Sequence, residues 1–186
     1  MAGVTVAAAT VYHWRLEEFV RAWEAEVFVG RAELVDGEVW PVAIGSWHGD
    51  VAARVVRALP NDDHQVTTSS LPTSGSLPDP DCWVRPTAAH PQRRLSDRLD
   101  EWAPADVLLV VEVGDETVDQ DLGAKAVLYA RGGYRWYWVV TREGVYEHSD
   151  PGEVGYQVRH LRRPGDSLTV EYANVQVLVD DLLPGD

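Results

Sequence analysis

The chain has 186 residues, 45% of them hydrophobic and 25% charged, which fits one globular domain with its own core. Its single cysteine, Cys82, excludes an internal disulfide framework and a zinc site built from several thiolates. A formal net charge of −14 argues against a nonspecific nucleic-acid coat protein but suits a chain that gathers carboxylates around a divalent metal. Because no apolar run approaches membrane-helix length and the start lacks the basic segment of a signal peptide, we expect a cytoplasmic protein.

The first quarter of the chain is predicted to hold an arm, a helix and a hairpin. Residues 1–11 have no charge and no clear periodicity, so we expect a loose N-terminal arm. Apolar residues recur at spacings of three and four over Leu16–Glu26, which predicts an amphipathic helix. Between 31 and 44, the pair Asp36-Gly37 separates two short apolar runs, the strongest local signal for a β-hairpin.

The next segment is predicted to alternate between a helix and short strands. Ser46 can N-cap a helix over His48–Leu59, whose valines form an apolar stripe. The alternating pattern of His64–Ser70 predicts a strand, and Cys82–Arg85 predicts another. Thr87–Asp106 is the least regular part, and its polar, arginine-bearing centre can hold one helical turn or more.

The stretch from residue 107 to residue 140 is predicted to be a strand, a helix and a second strand. Val107–Val113 is almost continuously apolar, which is typical of a strand that is buried on both faces, yet Glu112 interrupts it near its end. The following helix has one apolar stripe, made of Val118, Leu122, Lys125 and Tyr129. The last predicted strands are Val145–His148, Tyr156–Leu161 and Ser167–Tyr172, with turn signals at Asp150-Pro151-Gly152 and Pro164-Gly165.

Three charged positions in these elements point to a metal-assisted site. A buried carboxylate is unfavourable without a cation, so Glu112 either has a metal or cationic partner or lies at a solvated strand end. Lys125 either extends its ammonium to solvent or, beside Glu112, holds an attacking water and counters phosphate charge. Asp81, or Asp79 in its place, precedes the Cys82 strand and supplies a second carboxylate, unless both simply form the turn. Two carboxylates with water and substrate oxygens suffice for magnesium.

Four segments in order resemble the Uma-two family of restriction-type endonucleases in the PD-(D/E)xK nuclease superfamily. They are AELVDGEV, SWHGDVAARV, SLPDPDCWV and LLVVEVGDETVDQDLGAKAVLYARGGYRWYWVV, which together span about Arg31 to Glu147. No single one of these motifs is specific to the family, but four of them in the same order and spacing are much stronger evidence of the resemblance than any one alone. The resemblance implies an α/β fold with a restriction-endonuclease-like core, a mixed central sheet flanked by helices, formed by one domain over residues 1–186.

The resemblance also implies roles for individual residues. Asp81 and Glu112 correspond to metal ligands for Mg²⁺, with Mn²⁺ as an alternative, and Lys125 to the catalytic lysine. Gly114 stands where the simplest ExK pattern has its lysine, so the lysine is relocated to the helix. Glu33 corresponds to an acidic residue that orients water or a second metal, or else it is a solvent-facing strand residue. Other positions that match the family are His48, for substrate contact or a local bond, and Asp115, Thr117 and Asp121, for loop shape and lysine support, whereas Tyr129, Tyr137 and Trp138 are expected in the core.

We therefore expect a metal-dependent endonuclease that hydrolyses phosphodiester bonds in DNA, most simply duplex DNA. The alternative is a binding or regulatory domain that keeps the nuclease fold with little or no turnover, which the net charge favours somewhat. Phosphate contacts are expected from Arg93, Arg94 and Arg98 or from Arg162 and Arg163, each of which can equally be a solvated surface residue. Because cleavage of both strands needs two sites, a homodimer is the assembly that this function would favour.

Overall fold

The computed structural model describes residues 12–42 and 45–185, so the arm expected over 1–11 lies outside the described residues. The strands are β1 (Ala32–Val35), β2 (Glu38–Pro41), β3 (His64–Thr67), β4 (Cys82–Pro86), β5 (Arg93–Ser96), β6 (Leu99–Glu101), β7 (Leu109–Val113), β8 (Tyr137–Thr141), β9 (Gly144–Gly152), β10 (Gly155–Arg162), β11 (Ser167–Val170) and β12 (Val175–Leu178). The helices are α1 (Leu16–Glu24), α2 (Ser46–Ala58), α3 (Val118–Gln120), α4 (Ala126–Arg131) and α5 (Val179–Leu182). A 3₁₀ turn covers Pro104–Asp106, and a π-helical turn over Asp121–Lys125 joins α3 to α4.

The central element is a mixed six-stranded sheet in the order β10-β9-β8-β7-β4-β3, which confirms the α/β class. β7 and β8 are parallel and are connected through α3 and α4, whereas the other neighbours in the sheet are antiparallel. All five residues of β7 are buried, as its continuous apolar pattern predicts. Because β4 runs antiparallel to β7, the start of β4 lies beside the end of β7. This arrangement brings Asp81 to the strand end that carries Glu112.

The sheet has a buried core on each face. Val111 and Val113 of β7 pack with α2, α5 and the β11–β12 hairpin. Val110 faces the other way, where it packs with Tyr129 of α4 and Tyr137 of β8. Strand side chains alternate between faces, so Glu112 shares the α4 face with Val110.

A smaller layer completes this α4 side of the molecule. The β1–β2 hairpin turns at Asp36-Gly37, both with positive φ, as predicted. It forms its own sheet, and its inner strand is bonded to the segment before β4 by reciprocal backbone bonds between Leu34 and Leu77. The buried residues of α1 pack on this layer. The hairpin thereby brings Glu33 next to the loop that contains Asp79.

Helix boundaries differ from the predictions at two points. α1 ends at Glu24 rather than at Glu26, which has a positive φ of 55° that a helix cannot continue through. α2 begins at Ser46, and Gly45 occupies the N-cap, so the prediction that Ser46 is the N-cap residue was wrong. In neither helix does the change move the apolar stripe off the core.

The irregular segment before β7 forms a hairpin instead of helical turns. β5 pairs with β6 over the stretch that was expected to hold a helical turn, and the only turn of helix comes after it, at Pro104–Asp106. Leu99 is buried and Leu95 half-buried against the α1 cluster, so long-range packing selects the extended form. Local composition did not contain this information.

Two strand predictions also need correction. The signal Asp150-Pro151-Gly152 lies inside β9, where Asp150 has a φ of 59°, and the hairpin turn follows between the paired residues Gly152 and Gly155. The turn-forming aspartate therefore kinks a strand whose pairing continues past it. β3 ends at Thr67, and the last strand and helix, β12 and α5, were not predicted.

In the described part of the chain, no helix is long and apolar enough to span a membrane.

His148 in β9 predicts a pH dependence of stability. The residue is 3% exposed and packs near Tyr137 and Tyr156, and its Nδ1 has no hydrogen-bond partner among the described residues. Burial lowers its pKa to about 4. The folded state therefore keeps this ring neutral while the unfolded chain takes up a proton below pH ~6.5. We expect this group to remove up to about 3 kcal/mol of stability as the pH falls from ~6.5 to ~4. Urea unfolding of wild type and His148→Phe across this window should show a shallower decline in the variant; equal declines would contradict the assignment.

Candidate active site

Lys125 lies at the centre of a buried group of carboxylates. Its Nζ is 3.1 Å from Glu33 Oε1, 3.1 Å from Glu112 Oε1 and 3.6 Å from Asp121 Oδ1. The lysine is 6% exposed, and it is the only lysine in the 186 residues. A compact ammonium on a flexible stem fits among converging carboxylates where a planar guanidinium does not. The chain thus uses lysine at one position only, the one that faces all three carboxylates.

Glu112 is held by two donors that arrive from the helix. Tyr129 Oη donates to Glu112 Oε1 at 2.8 Å, and Lys125 Nζ contacts the same oxygen at 3.1 Å. The two donors are four residues apart, where the π-helical turn passes into α4. Such π-turns occur frequently at functional sites. Burial raises the pKa of Glu112 well above its usual range, opposed by Lys125 and reinforced by neighbouring carboxylates.

The pKa of Lys125 results from two opposing effects. Burial alone lowers it, but the charges of Glu112, Glu33 and Asp121 together raise it above the usual value. The ammonium is therefore protonated and acts as a fixed positive charge and hydrogen-bond donor.

Asp81 is fixed against the end of β7. The backbone N–H of Val113 donates to Asp81 Oδ2 at 2.7 Å, and His48 Nε2 lies 3.1 Å from Oδ1. The hydrogen bond to Asp81 raises the pKa of His48, so the ring gains positive character beside this carboxylate. Of the two aspartates that the sequence left as alternatives, Asp81 is the one that contacts the strand carrying Glu112.

Asp79 has a different environment. Arg31 donates to its Oδ2 through Nε at 3.1 Å and Nη2 at 2.5 Å, and Ser70 Oγ donates to Oδ1 at 3.1 Å. Its backbone N–H donates to Glu33 Oε2 at 3.1 Å. The side chain of Asp79 thus pairs with Arg31, while its backbone helps to aim Glu33 at Lys125.

Asp121 completes the charged group from the π-helical turn. Thr117 Oγ1 donates to Asp121 Oδ2 at 2.7 Å, whereas no residue in the described part of the chain forms a hydrogen bond with the buried Oδ1. Burial raises the pKa of Asp121, and Lys125 and Thr117 lower it. The expected role of Thr117 and Asp121 in supporting the lysine agrees with these contacts, and Asp115 instead pairs with Arg142.

Gly114 explains why the lysine comes from the helix. A Cβ at this position would lie 3.1 Å from Asp121 Oδ2, 3.1 Å from Val118 Cγ2 and 3.2 Å from the backbone Cα of Val118. The start of the helical segment packs closely over residue 114, so a side chain there would require its neighbours to shift. Lys125, about two helical turns after the helical segment begins at Val118, reaches the end of β7 from that segment.

Gly114→Ala should therefore destabilise the protein. We expect a loss of about 1–3 kcal/mol in the free energy of unfolding, because the added methyl group meets backbone that cannot move freely. Gly49→Ala is the matched control, since its Cβ would meet nothing within 4 Å on an exposed face of α2, and it should stabilise by about 0.5–1 kcal/mol. Chemical denaturation of both variants tests this, and an unchanged midpoint for Gly114→Ala would contradict the close packing.

Sequence reasoning missed part of the site. Tyr129 was assigned to the core, where it does pack, but its hydroxyl also bonds Glu112; its position four residues after Lys125 was the available signal. No sequence pattern marked Arg31 or Ser70 as part of the site, since their side chains reach it only by hydrogen bonds to the carboxylate of Asp79. Of the arginines expected to meet phosphate, Arg93 pairs with Glu101 and Arg162 with Glu147.

The fold and this group of side chains define a class of protein. An α/β fold in which a crossover helix brings one lysine to a strand-end glutamate, beside a second carboxylate from an antiparallel strand, is restriction-endonuclease-like.

The chain belongs to the Uma2 family, described as "Putative restriction endonuclease", whose model matches residues 16–184. A similar solved structure is that of "a putative nuclease belonging to DUF820" from Anabaena variabilis, with a TM-score of 0.67 and 13% identity. The match covers 91% of this chain and 97% of that one, so the two share a fold over nearly their whole length. No curated protein matches the chain.

Proposed function

We propose that this protein is a metal-dependent endonuclease that hydrolyses phosphodiester bonds in DNA, with Asp81, Glu112 and Lys125 as its central groups and Glu33 as their partner. The observation that carries the proposal is the contact of 3.1 Å between the buried Lys125 ammonium and Glu112, at the strand end where Asp81 is bonded. Membership of a restriction endonuclease family and the nuclease-like fold support it.

The side chains fit a hard divalent cation. Asp81 and Glu112 offer oxygen ligands, and within the described ranges no donor bonds the second oxygen of Glu112. In the described ranges, no group of three or more His, Cys, Asp or Glu side chains is placed to hold a metal ion. The ion would therefore be bound by two carboxylates together with water and substrate oxygens, as magnesium often is. When bound, Mg²⁺ or Mn²⁺ supplies Lewis-acid stabilisation of the phosphate and lowers the pKa of a bound water.

The chain's own groups have separate tasks in this proposal. Lys125 donates to the attacking water and counters the charge that develops on the phosphate oxygens. Glu33 and Asp121 orient the ammonium, and Tyr129 fixes one oxygen of Glu112. His48 holds Asp81 and is charged when its raised pKa exceeds the ambient pH, which places a further positive group near the phosphate.

The direct test is metal-dependent cleavage by the wild-type protein. Supercoiled plasmid and a linear duplex are incubated with Mg²⁺, with Mn²⁺ and with EDTA, and products are followed by gel. We expect nicked or linear products with either ion and none with EDTA. Linear product without a nicked intermediate would indicate two sites acting together, as in a homodimer.

Absence of cleavage with both ions would reject the proposal and favour the second candidate, a nuclease-fold domain that binds without turnover. Two observations favour that candidate: the net charge of −14, and the lack of a three-residue metal-binding group in the described chain. Binding of DNA without cleavage is the result that it predicts.

A further inference from the structure

A cavity of about 350 Å³ adjoins the candidate site on the side of Asp79. It lies between α1, the outer part of the β3–β4 pair and the β5–β6 hairpin. Asp79 borders both places, because its side chain lines the cavity while its backbone bonds Glu33. A ligand in this cavity therefore sits next to the carboxylates that surround Lys125.

Two arginines in the cavity wall each stack on a tryptophan ring. The guanidinium of Arg85 lies 4.2 Å from the centre of the Trp102 ring, and Trp83 packs against the same ring at 5.7 Å. On the other side, the guanidinium of Arg98 lies 4.8 Å from the centre of the Trp23 ring. Stacking holds both guanidinium groups flat. Arg85 already donates to the Pro86 carbonyl and to Gln65 Oε1, so among the described residues it is Arg98 that presents its N–H edges to planar or anionic acceptors.

The charge of the cavity is opposite to that of the protein as a whole. Three arginines and two aspartates line it, whereas the chain carries a net charge of −14. Arg31 is paired with Asp79, but the Arg98 guanidinium forms no hydrogen bond or ion pair with any described residue. This lining concentrates positive charge next to the site where a phosphate has to approach.

Two polar groups of the lining lack partners. Arg85 Nε and Thr67 Oγ1 are buried from solvent and bond nothing in the described structure. Buried polar atoms are nearly always paired in native proteins, so these two unpaired atoms mark a part of the cavity wall whose polar groups the described residues leave unsatisfied. Both residues belong to the paired strands β3 and β4, which hold them rigidly.

Aromatic planes, stacked guanidinium groups and free donors form the combination that recognises an unstacked nucleobase together with its phosphate. The volume is at the lower end of the ~300–1,000 Å³ of small-molecule sites, enough for one nucleotide and too small for stacked base pairs. We infer that this cavity receives a single unstacked nucleotide of the substrate, from a single strand or flipped out of a duplex. The inference rests on the proposed nuclease function, whose substrate it specifies.

Binding in EDTA tests the inference separately from cleavage. The probes are three fluorescently labelled DNAs: a short oligothymidylate, a duplex with a one-nucleotide bulge, and the same duplex fully paired. We expect the probes with an unstacked nucleotide to bind at least about fivefold more tightly than the paired duplex, the effect of one stacked base. Preference for the oligothymidylate alone identifies single strands as the source, and preference for the bulge alone identifies flipping. Equal affinity for all three, or preference for the paired duplex, overturns the inference.

Substitutions in the cavity wall test whether the preference for an unstacked nucleotide arises from this cavity. Trp102→Ala should weaken binding of the preferred probe by about fivefold or more, and Trp102→Phe should retain most of it. Arg98→Ala should weaken binding, while Arg135→Ala, which removes an exposed arginine stacked at 5.9 Å on Trp136 elsewhere, should have a smaller effect. Thermal melting confirms that each variant is folded. If wild type binds as expected but does not cleave, the proposed function fails and the cavity assignment stands. If wild type cleaves but Trp102→Ala binds DNA as tightly as wild type, the cavity assignment fails and the proposed function stands.

Discussion

Lys125→Met is expected to lower the rate of DNA cleavage about 10²–10⁴-fold, the range for loss of a positioned acid–base group or a charge that stabilises the transition state. Methionine keeps an unbranched apolar stem of similar length but removes the ammonium that contacts Glu33 and Glu112. Lys125→Arg should not restore activity, because a planar fork cannot occupy the position of a compact ammonium between converging carboxylates. Single-turnover cleavage with Mg²⁺ at matched protein concentrations gives the measurement.

The same substitution also affects stability, which has to be separated from catalysis. Removing one partner of a buried charged group typically destabilises by about 3–5 kcal/mol, and protonation of Glu112 or Asp121, whose pKa values burial already raises, offsets part of this loss. The variant is therefore assayed well below its measured Tm. Its binding to labelled DNA in EDTA should remain near that of wild type. A folded Lys125→Met that cleaves at the wild-type rate would exclude this lysine from the reaction.

Because the chain has one lysine, its environment is directly measurable. An amine-selective reagent can modify only Lys125 and the chain's α-amino group. With the ammonium 6% exposed and contacted by three carboxylates, we expect Lys125 to react far more slowly in the folded protein than in denaturant. Peptide mapping by mass spectrometry reads this out, and equal reactivity in both states would contradict the buried site.

Glu112→Gln is expected to reduce cleavage to a similar extent while leaving the fold intact. The amide oxygen can still accept from Tyr129, and Lys125 keeps Glu33 and Asp121 as partners. Stability in EDTA should stay the same or rise, because burying a neutral amide is less unfavourable than burying a carboxylate. Loss of activity in a variant of unchanged or higher Tm identifies a chemical role rather than a structural one.

Metal-linked stability gives a second readout for Glu112. A ligand at 100 times its Kd stabilises the native state by about 2.7 kcal/mol, so saturating Mg²⁺ or Mn²⁺ should raise the Tm of wild type. Glu112→Gln should lose most of this increase. The matched control is Glu33→Gln, which also removes a buried carboxylate 3.1 Å from Lys125 but should keep the metal-dependent rise. An equal metal-dependent rise in Tm in both variants would show that Glu112 is not a ligand of the proposed ion.

Much of the fold could be predicted from local pattern. The buried strand β7, the Asp36-Gly37 hairpin, the helix before β8 and the α/β class all follow from periodicity and turn chemistry, which act over a few residues. The β5–β6 hairpin and the continuation of β9 past Asp150 did not follow, since each depends on packing or pairing with distant residues. Their local composition is compatible with other structures.

The sequence by itself determined which residues can carry chemistry: one glutamate in an apolar strand, one lysine on an apolar helical stripe, and an aspartate just before another strand. Only the tertiary structure decided how they meet. The antiparallel pairing of β4 with β7 brings Asp81 rather than Asp79 to the end of β7. Close packing over Gly114 disfavours a side chain there, and the helical segment aims Lys125 at Glu112 and Glu33. These contacts join residues from 13 to 92 positions apart in sequence, and such distances are set by the packing of whole elements, which no local pattern encodes.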